Sequence, residues 1–459
     1  MTDGSGRGGA REITTTRRGA WGWICPTGIF AYSTLETMLI PALPQIRAHY
    51  QVALSEAGWV FSALALSGAI TTPLIGRAAD IYGAKRMFVS VLIALGGGIV
   101  MSATAASFWQ LVLGQALQGS ALSLVPLSVA IGCQENDLTA SKSIVIAATL
   151  STIAGFFLAS LLLQLADYRI LYWVSLAPVL ICVAAGALGG TLKAAKRPIT
   201  GDGDVDWIGG GLLAAIFLSI LTGIGASAST ALWHTIVAAL VLVIWFKQSA
   251  ATRNPVVDRR LLRHPAVGRV AVITAATGMG AFGSFVLIPV IVEMPRIEGG
   301  LGGNPSLSGI CLAGFGALGA ISPFFVPWMR RHVSSRWVMQ LGTSLIMAGL
   351  MGILVPASIA SLFLASSAIG AGIGLLLTQG IDLLGANVPM GRLASASALI
   401  FVTKSIGHAI GAQAAASLLS SGKAPAAVLF PVLLACCFCA VALAAGLRIP
   451  TSEQEKLNS

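Results

Sequence analysis

Apolar runs long enough to cross a bilayer recur along nearly the whole of this chain, and that repetition decides what it can fold into. A crossing helix needs about 20 mainly apolar residues. Such runs lie at residues 21–43, 59–78, 88–106, 109–131, 143–165 and 171–192, then at 207–226 and 232–246, then at 267–294, 307–329, 338–355, 362–386, 394–419 and 427–447. A soluble core of this size could not bury them. Of the 459 residues 56% are hydrophobic and 10% charged, with a mean hydropathy of +0.86, whereas soluble domains carry roughly 25% charged residues. Lipid is therefore the solvent, and the 53 glycines suit helices that pack closely without a hydrophobic effect between them. The expected fold is an all-α integral membrane protein of fourteen transmembrane helices. Twelve is the alternative if 207–246 is a re-entrant pair, and thirteen if one run is misjudged.

The runs are grouped six, two, six. A polar tail (1–20) precedes a first six-helix bundle (21–192), a linker (193–206), two additional helices (207–246), a basic linker (247–266), a second bundle (267–447) and a tail (448–459). With the N-terminus inside, the inward loops hold Arg77, Lys85, Arg86, Lys142, Lys193, Lys196, Arg197, Lys247, the arginine-rich linker, Arg330, Arg331, Arg336, Arg392 and Arg448. The outward loops hold only Arg47, Arg169, Arg296 and Lys423. That asymmetry predicts that both termini are cytoplasmic, and the expected location is the cell membrane. It also accounts for the net charge of +11 without a nucleic-acid face. The first run lacks a cleavage site and reads as a retained span. The cluster Cys436-Cys437-Phe438-Cys439 lies inside an apolar run and reads as small apolar packing, and no nucleotide-binding loop is present, so no cofactor, metal or enzymatic activity is expected. The expected partners are a small-molecule substrate, protons and lipid, and the chain is read as a monomer.

Between the second and third spans stands Gly76-Arg77-Ala78-Ala79-Asp80-Ile81-Tyr82-Gly83-Ala84-Lys85-Arg86, a tight turn with an acid, two glycines and a basic pair. It resembles the cytoplasmic loop signature of the major facilitator superfamily. The six-two-six layout resembles that family's fourteen-span branch of drug:proton antiporters, as do Asp206-Trp207-Ile208-Gly209 and the segment from Asn254 to Leu262. The resemblance implies two six-helix bundles related by an axis along the membrane normal. It makes Asp80 the centre of a conformational latch, with Gly76, Arg77, Gly83 and Arg86 around it. The corresponding second-half loop, Arg330-Arg331-His332-Val333-Ser334-Ser335-Arg336, lacks the acid and the glycine, so a weaker latch is expected there.

A charged group in hydrocarbon is costly, so each intramembrane ionisable residue is a candidate for function. Glu36 lies in the outer part of the first span, where the branch's first-helix motif carries its acid and ends in Ala-Leu-Pro; counted from Pro44, the family acid would fall at Leu35. Lys404 and His408 are four residues apart and share a helix face. Asp382, with Gln379 one turn away, is a possible partner for Lys404. In the fourth span Gln115 occupies the arginine position of an Arg-x-x-Gln-Gly motif tied to proton coupling. In the fifth, Phe156 replaces the proline, and Ala159 and Ser160 the paired glycines, of the motif most associated with export. The expected function is proton-coupled efflux of a small amphipathic compound by alternating access, using Glu36, Asp382, Lys404, His408 and Gln115. Because of the two departures, an uptake symporter or facilitator and a non-transporting sensor remain alternatives.

Overall fold

The computed structural model describes residues 20–134, 140–188, 205–224, 226, 228–252, 255, 265–298, 300–354, 358–387 and 390–420. Outside them lie the N-terminal tail, most of both linkers with the segment around Asn254, the run at 427–447 with Cys436, Cys437 and Cys439, and the tail 448–459. The described residues are helical and contain no strand. The helices are α1 (Trp21–Tyr50), α2 (Leu54–Ala57), α3 (Trp59–Tyr82), α4 (Ala84–Ala103), α5 (Phe108–Gly119), α6 (Leu124–Gln134), α7 (Ala140–Leu165), α8 (Arg169–Leu188), α9 (Trp207–Gly223) and α10 (Ala228–Ala251), followed by α11 (Pro265–Glu293), α12 (Pro305–Met329), α13 (Ser335–Leu354), α14 (Ile359–Asn387) and α15 (Met390–Ser420). Nine segments among the described residues are long and apolar enough to cross a membrane.

Local chemistry sets several of these boundaries. The Ser107, Asp206 and Asn304 side chains accept from the backbone N–H of Gln110 (3.3 Å), Gly209 (2.8 Å) and Leu307 (3.1 Å), capping α5, α9 and α12. Pro305 opens α12, where no intrahelical donor is needed. The run expected as one span at 109–131 is α5 and α6 joined through a 3₁₀ turn, Ser120–Ser123. Pro126 has no N–H to offer the preceding turn, so a tighter turn relieves the helix there.

In the first bundle α1 packs on α7 and α8, α3 on α5, and α4 on α5 and α8. In the second, α11 packs on α15, and α12 and α13 both pack on α14. The bundles meet along two seams, α7 on α12 and α3 on α15. The crossing helices alternate in direction; the side holding Trp21 is called proximal and the side holding Tyr50 distal. The pair α9–α10 sits at the α3–α15 seam. Gly210 abuts Leu74, Leu221 clusters with Ala65 and Ala409, and the Ser417 hydroxyl donates to the Ile224 carbonyl (3.3 Å). Its partner α10 faces outward: 11% of its apolar window is buried, against 89% for the window in α11. Helix α11 is thus central and α10 peripheral.

Candidate transport site

An acid of one bundle and a base of the other lie within electrostatic reach where the bundles face each other. Glu36 of α1 and Lys404 of α15 are each half-buried and interact electrostatically across the interface. An acid and a base in a low-dielectric site are tolerable as a pair and costly apart. One turn distal to Lys404, His408 is buried, feels the lysine's charge and stacks on Phe282, with ring centroids 3.8 Å apart and planes at 19°. A Cβ added at Gly278 of α11 would lie 2.7 Å from the Lys404 carbonyl and 3.0 Å from the His408 ring, so glycine is what lets α11 lie against this face of α15. The structure therefore brings together three of the sequence candidates, Glu36, Lys404 and His408.

The other two lie elsewhere. Asp382 stands at the proximal end of α14 and pairs with Arg330 at the end of α12 (3.3 Å), each side chain 37% exposed. Helices α12 and α14 run parallel, with Gly319 beside Gly370 and Gly374 beside Ser322, and that register carries Arg330 to Asp382. The acid within electrostatic reach of Lys404 is Glu36, and an acid beside the second-half loop comes from α14. Gln115 is fully buried inside the first bundle, where its amide donates to the Tyr172 hydroxyl of α8 (2.6 Å). Its neighbour Gln118 donates to Ser102 (2.8 Å) and the Gly98 carbonyl (3.1 Å).

Gly76 and Arg77 lie near the proximal end of α3, and Arg86 in the first turn of α4. Gly83 between the helices has φ +97°, which a side chain would strain, so the turn itself requires glycine. The Asp80 side chain lies outside the described residues. Lys85 sits over the Trp21 ring at 5.5 Å, tying this turn to the start of α1. At the distal end Tyr168 donates to the Tyr50 hydroxyl (2.8 Å), and both Tyr50 and Arg169 donate to the Ala105 carbonyl (3.0 Å each). Burial first, and then the Tyr50 hydroxyl, push the Tyr168 phenol up, so it remains a donor at any ordinary pH.

Distal to the charged pair the bundles are sealed by polar side chains and glycines that follow no sequence motif. Ser62 donates to Gln413 (3.3 Å) and to the Ala409 carbonyl (3.1 Å), and Gln413 donates to the Ser55 carbonyl (3.0 Å). On the second seam Ser306 donates to the Ser160 carbonyl (2.9 Å) and Gln164 to Ser306 (2.7 Å). A Cβ at Gly309 would fall on the Ser160 hydroxyl, and one at Gly58 would lie 2.7 Å from the Ala416 Cβ. Sequence reasoning passed over these residues; an uncharged amide inside an apolar run, as at Gln413, is the signal that could have flagged one.

Two helical bundles that meet face to face in a membrane, with opposite charges at the interface and a seal on one side, define a carrier. Residues 27–412 match the Major Facilitator Superfamily, and the chain belongs to that family, a family of transporters and not of enzymes. It is 27% identical over 390 residues to a multidrug resistance protein B homolog of Mycobacterium tuberculosis, covering 79% of this chain and 69% of the relative. It is 25% identical over 458 residues to the cephamycin export protein CmcT of Amycolatopsis lactamdurans, covering 91% and 88%. Among solved structures, a variant of the nucleoside transporter NupG superposes with a TM-score of 0.65 at 13% identity over 93% of this chain and 99% of that one. An auto-inhibited peptide transporter of the POT family gives 0.62 at 16% identity, covering 92% and 95%. These likenesses carry the fold, and the chain is a multi-pass membrane transporter of small molecules.

Proposed function

We propose that this transporter is a fourteen-span, proton-coupled exporter of an amphipathic small molecule, with both termini in the cytoplasm of a cell-membrane protein. The observation that carries the reading is that Glu36 of one half and Lys404 of the other lie within electrostatic reach of each other. With Glu36 ionised the two charges offset each other and attract the halves toward one another at this depth. A proton on Glu36 removes that attraction and leaves Lys404 as a lone charge, so protonation and the relation of the halves are linked. A substrate that competes for the same groups exchanges with the proton. The printed names of the relatives, multidrug resistance and cephamycin export, support outward transport. In this reading α1, α9, α13, α15 and the run at 427–447 complete the fourteen crossings, and Asp80 with Arg77 and Arg86 latches the proximal side when the distal side opens.

The test is transport by the purified chain in proteoliposomes, with a labelled cephamycin and a cationic dye as test compounds and with or without an imposed pH gradient. The expected result is gradient-driven accumulation that Glu36→Gln abolishes while compound-for-compound exchange persists. Accumulation that ignores the gradient would sink the coupling. Movement of compound in the same direction as protons would instead favour the uptake reading.

A further inference from the structure

The position where Phe156 stands in place of a proline is the centre of an aromatic cluster built by both halves. Its ring, fully buried in α7, lies 6.1 Å from Phe285 of α11 and 6.5 Å from Phe315 of α12. Phe285 lies 4.6 Å from Phe315 and 4.8 Å from Phe282, and Phe282 reaches Phe61 of α3 at 6.4 Å. Phe61 and Phe156 belong to the first bundle and the other three to the second, so both seams run through one group of rings. Its depth follows from residue order. On α11 the sequence from proximal to distal is Gly278 beside Lys404, Phe282 on His408, then Phe285. On α7 Phe156 comes one turn before Ser160, which belongs to the distal seal. Gly155, beside Phe156, lies against Thr34 and Thr37 of α1, so Phe156 is level with Glu36, while Phe61 adjoins Ser62 of the hydrogen-bonded seal; the cluster therefore reaches from the level of the charged groups distally to the seal.

We propose that Phe156, with Phe61, Phe282, Phe285 and Phe315, forms the distal gate of the transport path: a dry plug that anything leaving the Glu36–Lys404 site toward the distal side must part. When the bundles separate at this end, Phe156 and Phe61 travel with one half and the other rings with the second, so the ring contacts between halves exist only in the closed state. Removing a ring takes cohesion from that state alone and shifts the population toward distal-open. Passage past closely packed rings also favours cargo with an apolar or aromatic face, because such a face replaces the contacts that the rings give up. The proposal rests on the chain being an alternating-access transporter and is independent of the proton.

The experiment is cysteine accessibility in intact expressing cells, using the full chain with its seven native cysteines replaced. A small membrane-impermeant methanethiosulfonate is added from outside. Ile297→Cys, fully exposed in the distal loop, reports whether the distal side faces out. Ser33→Cys, half-buried on the Glu36 face of α1 and proximal to the plug, reports whether the gate is open. The expected result is rapid labelling of Ile297→Cys and slow labelling of Ser33→Cys, the latter accelerated about tenfold or more by Phe156→Ala and by Phe285→Ala. Phe156→Leu and Phe285→Leu, which keep the site filled, carry the same prediction with a smaller factor if the alanine variants fail to reach the membrane. Labelling of Ser33→Cys that no ring substitution changes, with Ile297→Cys labelled normally, overturns the gate. Ser33→Cys labelled as fast as Ile297→Cys in the parent overturns it too. Failure of Ile297→Cys to label would contradict the orientation and not the gate, and the reagent would then be applied to inverted vesicles with the same two outcomes.

Discussion

Glu36 and Lys404 were individually visible in the sequence because a charge inside an apolar run is expensive and therefore conspicuous. That they come within electrostatic reach was not visible, since it depends on how the two bundles are set against each other and no spacing encodes that. Their pairing predicts a non-additive pattern. Lys404→Met leaves a carboxylate without its counter-charge and Glu36→Gln leaves an ammonium without its own, so each single variant should be less stable than the parent. The double variant should recover most of the loss, because breaking a buried pair costs more than replacing it. For fully buried pairs the single-variant cost is about 3–5 kcal/mol, and the half-burial of both groups reduces the expectation to ~1–2 kcal/mol. Thermal unfolding of the four proteins in one detergent closes the cycle; additive losses would show that the charges do not interact. Arg330–Asp382 is the contrasting pair. With both side chains 37% exposed, Asp382→Asn should lower stability by less than about 1 kcal/mol. In sequence Asp382, near the inner end of its span, is a possible partner for Lys404 and equally a helix-end acid near water. The parallel register of α12 and α14, which the sequence does not display, sends it to Arg330 instead.

At the scale of elements, the legible features were those with local causes. Asp206-Trp207-Ile208-Gly209 marks a helix start because Asp206 caps α9, and a Cβ on Gly209 would strike the Asp206 carboxylate. The same carboxylate accepts from the Gln248 amide of α10 at 2.7 Å, so one side chain both starts α9 and ties it to its partner. Asp206→Ala should therefore cost about 0.5–2 kcal/mol for the cap. Transport should persist, because α10 is peripheral and neither helix supplies a group to the charged pair. A melting curve beside a transport assay checks both halves of this prediction; loss of transport at full stability would show that the hairpin does more than pack. The break between α5 and α6 was less legible. Pro126 was in plain view, but whether a membrane proline kinks, tightens or merely bends a helix is decided by its neighbours.

For the whole molecule, hydropathy reveals the number and grouping of apolar runs, yet it is silent about which face of one bundle meets which face of the other. That relation is held by small contacts: Ser62 with Gln413, Ser306 with Ser160, Gly58 against Ala416, Gly309 against Ser160. They lie in the distal parts of α3, α7, α12 and α15, so the structure represents a distal-closed arrangement. In the proposed alternating-access cycle these contacts break once per turnover, and a covalent bond across one of them should stop the cycle there. A Cβ at Gly58 would lie 2.7 Å from the Ala416 Cβ, somewhat closer than the ~3.5–4.5 Å that a disulfide spans, so a small outward adjustment of α3 from α15 accommodates the bond. In a background without the native cysteines, Gly58→Cys with Ala416→Cys should form a disulfide on mild oxidation, shift mobility on a non-reducing gel and abolish transport. Reduction should restore transport to the level of the unoxidised double variant. The single variants, treated identically, separate the bond from the crowding that any side chain at Gly58 introduces. If the bonded protein still transports at the unbonded rate, the distal ends of α3 and α15 do not part during turnover, and the halves must open along the α7–α12 seam alone.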